Sequence, residues 1–168
     1  LQQLVIDQSL NSSKIIAIDT MNLWIDIARD SLNNVLSLSD ILFINESEAS
    51  LLSGKKTIYD SASLFLDLGL KIVVVKKGGQ GAELFSNEEN IKIGAYKVNV
   101  VDPTGAGDVF GGAFISTLAQ GGTLSDSLVN GSAMASFCVE GFGTSCILNV
   151  SEEELEDRKA NLYSTLSS

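Results

Sequence analysis

Histidine is absent from the sequence, and with it goes the commonest general base and metal ligand near neutral pH. Any proton transfer at that pH therefore falls to a carboxylate. Thiols are nearly absent too. The two cysteines, Cys138 and Cys146, lack the paired spacing of a zinc site, and Cys138 falls in an apolar helical pattern with Ala133, Met134 and Phe137. Both read as reduced thiols of a cytoplasmic protein rather than as a disulfide framework. Cations are scarce: 11 Lys and Arg stand against 21 Asp and Glu, a net charge of −10. With no dense basic run, the chain is expected to take neither nucleic acid nor a membrane surface as its main partner. No apolar stretch reaches the roughly 20 residues of a membrane-spanning helix, and no charged-then-apolar start marks a signal peptide. Repeats and low-complexity segments are missing as well, and proline occurs once, at Pro103.

What is present is apolar material in a regular alternation. With 45% hydrophobic residues in 168, the chain can bury one core, and residues 1–168 read as one domain. Segments 14–18, 41–44 and 72–75 are short β-branched or apolar runs of strand type, and 82–85 with 91–101 read as an antiparallel pair closing one edge. Helical spacing occupies 23–38, 46–52, 62–68, 106–119, 124–139 and 152–166, with Trp24, Ile27 and Ala28 expected in the core. Continuous Ile and Val runs joined by helices indicate an α/β fold with a mostly parallel sheet covered on both faces.

The chemistry concentrates in Asp102-Pro103-Thr104-Gly105-Ala106-Gly107-Asp108. A β-branched run from Tyr96 to Val101 halts at the proline, passes two glycines and an acid, and enters an apolar, alanine-bearing helix. The amides of Gly105, Ala106 and Gly107 are expected to open into the helix mouth, where the dipole adds about half a positive charge for an anion. A carboxylate in the same turn is no ligand for that anion. It suits a base that takes the proton of a hydroxyl attacking a phosphoryl group, and Asp108 is the candidate. As a mere helix start, Asp108 would stabilise the dipole and the glycines would only cost stability. Two other nucleotide motifs are excluded. Gly105, Gly107 and Gly111 miss the dinucleotide spacing by one residue, and Gly54-Lys55-Lys56-Thr57 lacks the upstream glycine of a phosphate-binding Walker loop.

From Asp102 to Ile115 the sequence resembles the second signature of the ribokinase-like (PfkB) carbohydrate kinase family, in which Gly-Ala-Gly-Asp opens a helix. The resemblance implies a three-layer αβα ribokinase-like fold and ATP-dependent phosphoryl transfer to a sugar or sugar-like acceptor. Asn45-Glu46-Ser47-Glu48 is similar to the family's Asn-x-x-Glu, which implies that Asn45 touches phosphate and Glu48 orients hydrated Mg2+. The same four residues are also a capping box, and the two readings are compatible. With no histidine and no paired thiolates, only oxygen ligands remain, which select Mg2+ over softer ions. Residues 73–82 look like the strand and glycine loop beside the nucleotide, with Lys76 near the phosphates and Gly78 and Gly81 allowing close backbone approach. A plain hairpin turn serves equally for Gly79 and Gln80, and Lys77 is expected in solvent. The helix bearing Asn130 corresponds to one that flanks adenine, although its small residues also serve packing. Segment 141–145, with Asp102 and Thr104, resembles a monovalent-cation site of some relatives, implying K+. Asp19-Thr20-Met21-Asn22-Leu23-Trp24 is similar to an Asp-x-Asn-x-Arg strand end, except that Trp24 replaces the arginine and one residue is inserted.

The resemblance runs through essentially all 168 residues, yet it corresponds to the C-terminal half of a typical member, lacking the N-terminal strands and lid. The chain is therefore expected to be a piece of a longer kinase or a truncated product. The alternative is a nucleotide-binding or assembly module without activity. Exposed strand edges would favour self-association into a homo-oligomer, and the acceptor stays open among sugars, heptose phosphates and nucleosides.

Overall fold

The computed structural model describes residues 2–9 and 15–168. Five strands form one sheet in the order β1-β2-β3-β4-β5: β1 (Ala17–Asp19), β2 (Ile41–Asn45), β3 (Ile72–Lys76), β4 (Ala82–Ser86) and β5 (Asn90–Ile93). The first three are parallel, with Ala17 opposite Ile41, Asp19 opposite Phe43 and Asn45 opposite Lys76. Residues 77–81 and 87–89 are the only links to β4 and β5, too short for the crossover a parallel strand requires, so these strands run antiparallel. The expected mostly parallel α/β sheet is observed. Residue 14, where the first strand was expected to begin, lies outside the described residues.

Two compact units divide the chain, Leu1–Lys76 with Leu84–Asn90, and Lys77–Glu83 with Ile91–Ser168. The first carries α1 (Gln2–Ser9), α2 (Asn22–Ile27), α3 (Arg29–Leu36), α4 (Glu46–Ser53) and α5 (Ile58–Asp67). Val73, Val74 and Val75 of β3 and Leu42 and Ile44 of β2 are fully buried, as a strand covered on both faces requires. The single helix expected over 23–38 is instead two, broken at Ala28 (φ −140, ψ 34). The break turns Ile25 on α2 and Leu32, Val35 and Leu36 on α3 inward. It leaves Trp24 and Ile27, expected in the core, 40% and 67% exposed.

In the second unit α6 (Ala106–Ala119), α7 (Leu124–Cys138), α8 (Ser145–Leu148) and α9 (Glu152–Tyr163) follow in order. The strand expected to run to Val101 ends at Ile93. A β-branched run becomes a strand only where a neighbour offers a ladder, and residues 94–101 have none among the described residues. Helix α9 is fixed to α7 at two points. Arg158 donates to Glu140 (2.6 Å) and Ser136 (2.8 Å) with its guanidinium over the Phe137 ring, and the Tyr163 hydroxyl donates to Asp126 (2.5 Å). Burial and that bond push the Tyr163 phenol up to about 12. Because the protonated phenol is the form the fold favours, this contribution is intact below the phenol's ordinary value of 10.0 and is lost as pH rises toward 12. A phenolate absorbance titration is expected to show one tyrosine ionising near 12, a step missing from Tyr163→Phe. Ionisation of every tyrosine together at the ordinary value would contradict the Tyr163 to Asp126 bond.

Candidate active site

The turn before α6 is pinned at both ends. Val101 and Asp102 donate their amides to the Val139 carbonyl (2.7 and 3.2 Å) at the end of α7, and the Asp102 carboxylate accepts from the Thr104 amide (2.9 Å). That backbone bond, with the Thr104 side chain adding to it, holds the Asp102 carboxyl below the usual carboxylate range. Gly105 then takes a left-handed conformation (φ 80) as N-cap of α6, which glycine adopts without steric cost. Lacking a side chain, it leaves the helix mouth uncapped. One of the three amides expected there is spent, since Ala106 donates to the Pro103 carbonyl (3.2 Å). The tight turn brings that carbonyl back over the helix start. The amides of Gly105, Gly107 and Asp108 find no acceptor among the described residues, so the open set is shifted by one residue and includes the backbone of Asp108 itself. The Asp108 side chain is exposed and has no hydrogen-bond partner among the described residues. Beneath the turn, the buried Cys138 thiol donates to the Thr104 carbonyl (3.7 Å). Burial pushes this thiol up, with Asp102, Cys146 and Asp108 adding to the effect, so it stays a neutral donor. Both cysteines are free.

In the first unit the polar residues gather at the C-terminal ends of the parallel strands, where ligands bind in open α/β sheets. Asn45 caps α4: its side chain accepts from the Glu48 amide (2.8 Å), and one Glu48 oxygen, Oε2, accepts from the Asn45 amide (3.1 Å) and from the Thr20 hydroxyl (3.4 Å). Glu48 is thus buried, and its second oxygen takes no hydrogen bond from the described residues. Lys76, at the end of β3, pairs with Asp19 at the end of β1. The sequence marked Asp19 and Thr20 only as part of a strand end resembling the family's; neither the Thr20 bond to Glu48 nor the pairing of Asp19 with Lys76 was expected from it.

In the second unit Gly78 to Gln80 form a single 3-10 turn closed by Lys77 donating to the Gly81 carbonyl (2.8 Å). Gly78 is left-handed (φ 56) with open space before it, whereas a Cβ on Gly81 would overlap the Ile93 carbonyl. The glycine at 81 is thereby accounted for by backbone packing. Lys77, expected in solvent, is paired with Glu83 (2.8 Å), a residue only 6% exposed. The carboxylate is buried on β4 and draws the lysine in, because an unpaired buried charge is far costlier than an ordered lysine. The Asn130 amide group donates to the Thr117 hydroxyl (2.9 Å) and the Ala113 carbonyl (3.4 Å) of α6. It therefore also joins α6 to α7. In segment 141–145, Gly141 backs onto the Cys146 sulfur.

In the second unit three amides are unspent at a glycine-opened helix mouth, which suits phosphate oxygens. In the first unit Glu48 keeps one free oxygen, which suits a hydrated hard cation. No group of three or more Cys, Asp or Glu that could hold a metal occurs among the described residues, so a cation there needs ligands from water and phosphate as well. No helix among the described residues is long and apolar enough to cross a membrane.

Comparison with known proteins agrees. A ribokinase of Staphylococcus aureus (strain COL) is 39% identical over 127 residues, 72% of this chain and 42% of the relative. A chain named as a ribokinase II from E. coli, solved in complex with ATP and Mg2+, superposes with a TM-score of 0.83 at 33% identity, covering 95% of this chain and 53% of that one. A ribokinase of Arabidopsis thaliana complexed with ribose and ATP gives a TM-score of 0.79 at 28% identity, over 94% and 51%. The chain spans about half the length of the relatives it matches. Residues 5–149 match the pfkB family carbohydrate kinase profile, and the chain belongs to that family.

Proposed function

We propose that this chain is the nucleotide-binding and catalytic portion of an ATP-dependent carbohydrate kinase that phosphorylates a hydroxyl of a sugar or sugar-like acceptor in the cytoplasm. The observation that carries the reading is the turn at Gly105 to Asp108, where three unspent amides and an unpartnered carboxylate occupy one helix mouth. The amides of Gly105, Gly107 and Asp108 hydrogen-bond the phosphoryl oxygens and stabilise the charge that develops on them. Asp108 takes the proton of the acceptor hydroxyl. Lys76 and Asn45 meet the phosphates, the open turn at Gly78 lies along the nucleotide, and Asn130 faces its base. Asp102 and Thr104 serve a monovalent cation such as K+. Mg2+, held through water by Glu48, would neutralise phosphate charge when bound. Ribose is the first acceptor to try, because the relatives above are named ribokinases.

The test is phosphoryl transfer from ATP across a panel of pentoses, hexoses and nucleosides, with transfer to none of them refuting the reading. In the same assay Glu48→Gln is expected to raise the Mg2+ concentration needed for half-maximal rate several-fold and to leave the acceptor KM unchanged. Glutamine still completes the capping box, so α4 stays capped and only the charge is lost. An unchanged Mg2+ requirement would leave Glu48 a cap and nothing more.

A further inference from the structure

We propose that Asp19 is a counter-ion gate on Lys76, cancelling the lysine's charge until a polyphosphate displaces it. The inference deepens the proposed function and rests on it. Asp19 and Lys76 are the last residues of β1 and β3, and their side chains meet across the end of β2. The carboxylate is the fixed partner: its Oδ1 accepts from the Thr20 amide (2.9 Å), which aims Oδ2 at the lysine. The lysine is the movable one, a compact charge on a four-carbon stem with three donors that retarget easily. Side-chain exposures of 20% for Lys76 and 30% for Asp19 leave the pair open to an incoming anion.

An acidic group at an anion-binding strand end weakens phosphate binding unless it has another task, and here that task is to hold the cation. While the pair is closed, a single weak anion gains little by breaking it. Several phosphate charges together offset the loss of Asp19 and draw Lys76 over. The pair thereby favours a triphosphate over a lone phosphate and keeps the lysine from collecting stray anions.

The gate has a signed consequence. If Asp19 competes with phosphate, Asp19→Asn tightens ATP binding; if Asp19 positions Lys76 for phosphate, the same change weakens it. Calorimetric titrations of the full chain with ATP and with adenosine, each with Mg2+, are expected to show ATP binding tightened about two- to fivefold by Asp19→Asn and adenosine binding unchanged. Asparagine keeps the acceptor for the Thr20 amide, so an unaltered thermal melt is expected and verifies folding. Lys76→Met should weaken ATP and spare adenosine. ATP affinity that is unchanged or weaker in Asp19→Asn, an equal gain for adenosine, or no loss in Lys76→Met overturns the gate. Failure of the unsubstituted protein to bind ATP at all overturns the kinase reading and the gate with it.

Discussion

Replacing Asp108 by asparagine is expected to lower kcat by about 10²–10⁴-fold, the usual contribution of a positioned general base, while ATP affinity stays near its original value. The two effects separate because of where Asp108 sits. Its carboxylate has no hydrogen-bond partner among the described residues and lies exposed at the first turn of α6, so the amide substitute breaks no network. The backbone N–H that it contributes to the anion site survives the change. The structural loss is limited to the interaction of the charge with the helix dipole, about 0.3–1 kcal/mol, far too little to account for a collapse in turnover. Steady-state kinetics beside calorimetric titration with ATP reads both quantities. Turnover within a few-fold of the original would remove Asp108 from the role of base, and loss of ATP binding in a folded variant would make it a ligand-binding residue instead.

The helix-opening turn at Gly105 to Asp108 was legible from the sequence because its geometry is set within seven residues. A glycine that must turn left-handed, a proline that ends the preceding run and an acid in the first helical turn declare themselves without tertiary context. For the same reason α6, α7, β2 and β3 emerge close to their expected limits: burial periodicity is a local property, and nothing nearby competes with it. What the sequence did not announce lies where a distant partner decides. Lys76 finds Asp19 across 57 positions, and no spacing rule could have announced it. Lys77, the second of two adjacent lysines, was expected in solvent, yet the buried Glu83 on the following strand claims it. Segment 96–101 has the composition of a strand and, among the described residues, no ladder to join. The helix over 23–38 kept an apolar period through Ala28, but the break there rotates Trp24 outward and Ile25 inward. The open amides at 105, 107 and 108 show the same limit on a smaller scale, because one carbonyl folded back from Pro103 shifted the set by a residue.

The second large effect concerns Gly81, read from sequence as a point of close approach to the nucleotide. Gly81→Ala is expected to destabilise the protein by about 2–6 kcal/mol, combining backbone strain with steric overlap, and to lower the melting temperature on the order of 10 °C for a chain of this size. Two causes act together. The backbone at Gly81 has φ 96 and ψ −137, a region essentially closed to residues with a side chain. A Cβ there would overlap the Ile93 carbonyl and stand 2.7 Å from the Gly94 carbonyl carbon, backbone atoms that cannot swing aside as a flexible side chain would. Gly78 provides the control in the same loop. It too is left-handed (φ 56), but nothing lies within 4 Å of its notional Cβ, so Gly78→Ala should cost only the conformational term of about 1–2 kcal/mol. If the proposed nucleotide contact holds, Gly78→Ala should also weaken ATP binding at temperatures where the protein is folded. Thermal melts recorded with and without ATP and Mg2+ distinguish the two glycines: the loss at Gly81 persists in both conditions, whereas the ATP-induced rise in melting temperature is reduced at Gly78. A Gly81→Ala protein that melts with the original would mean that the β3–β4 connection yields without cost and that the glycine there serves the nucleotide.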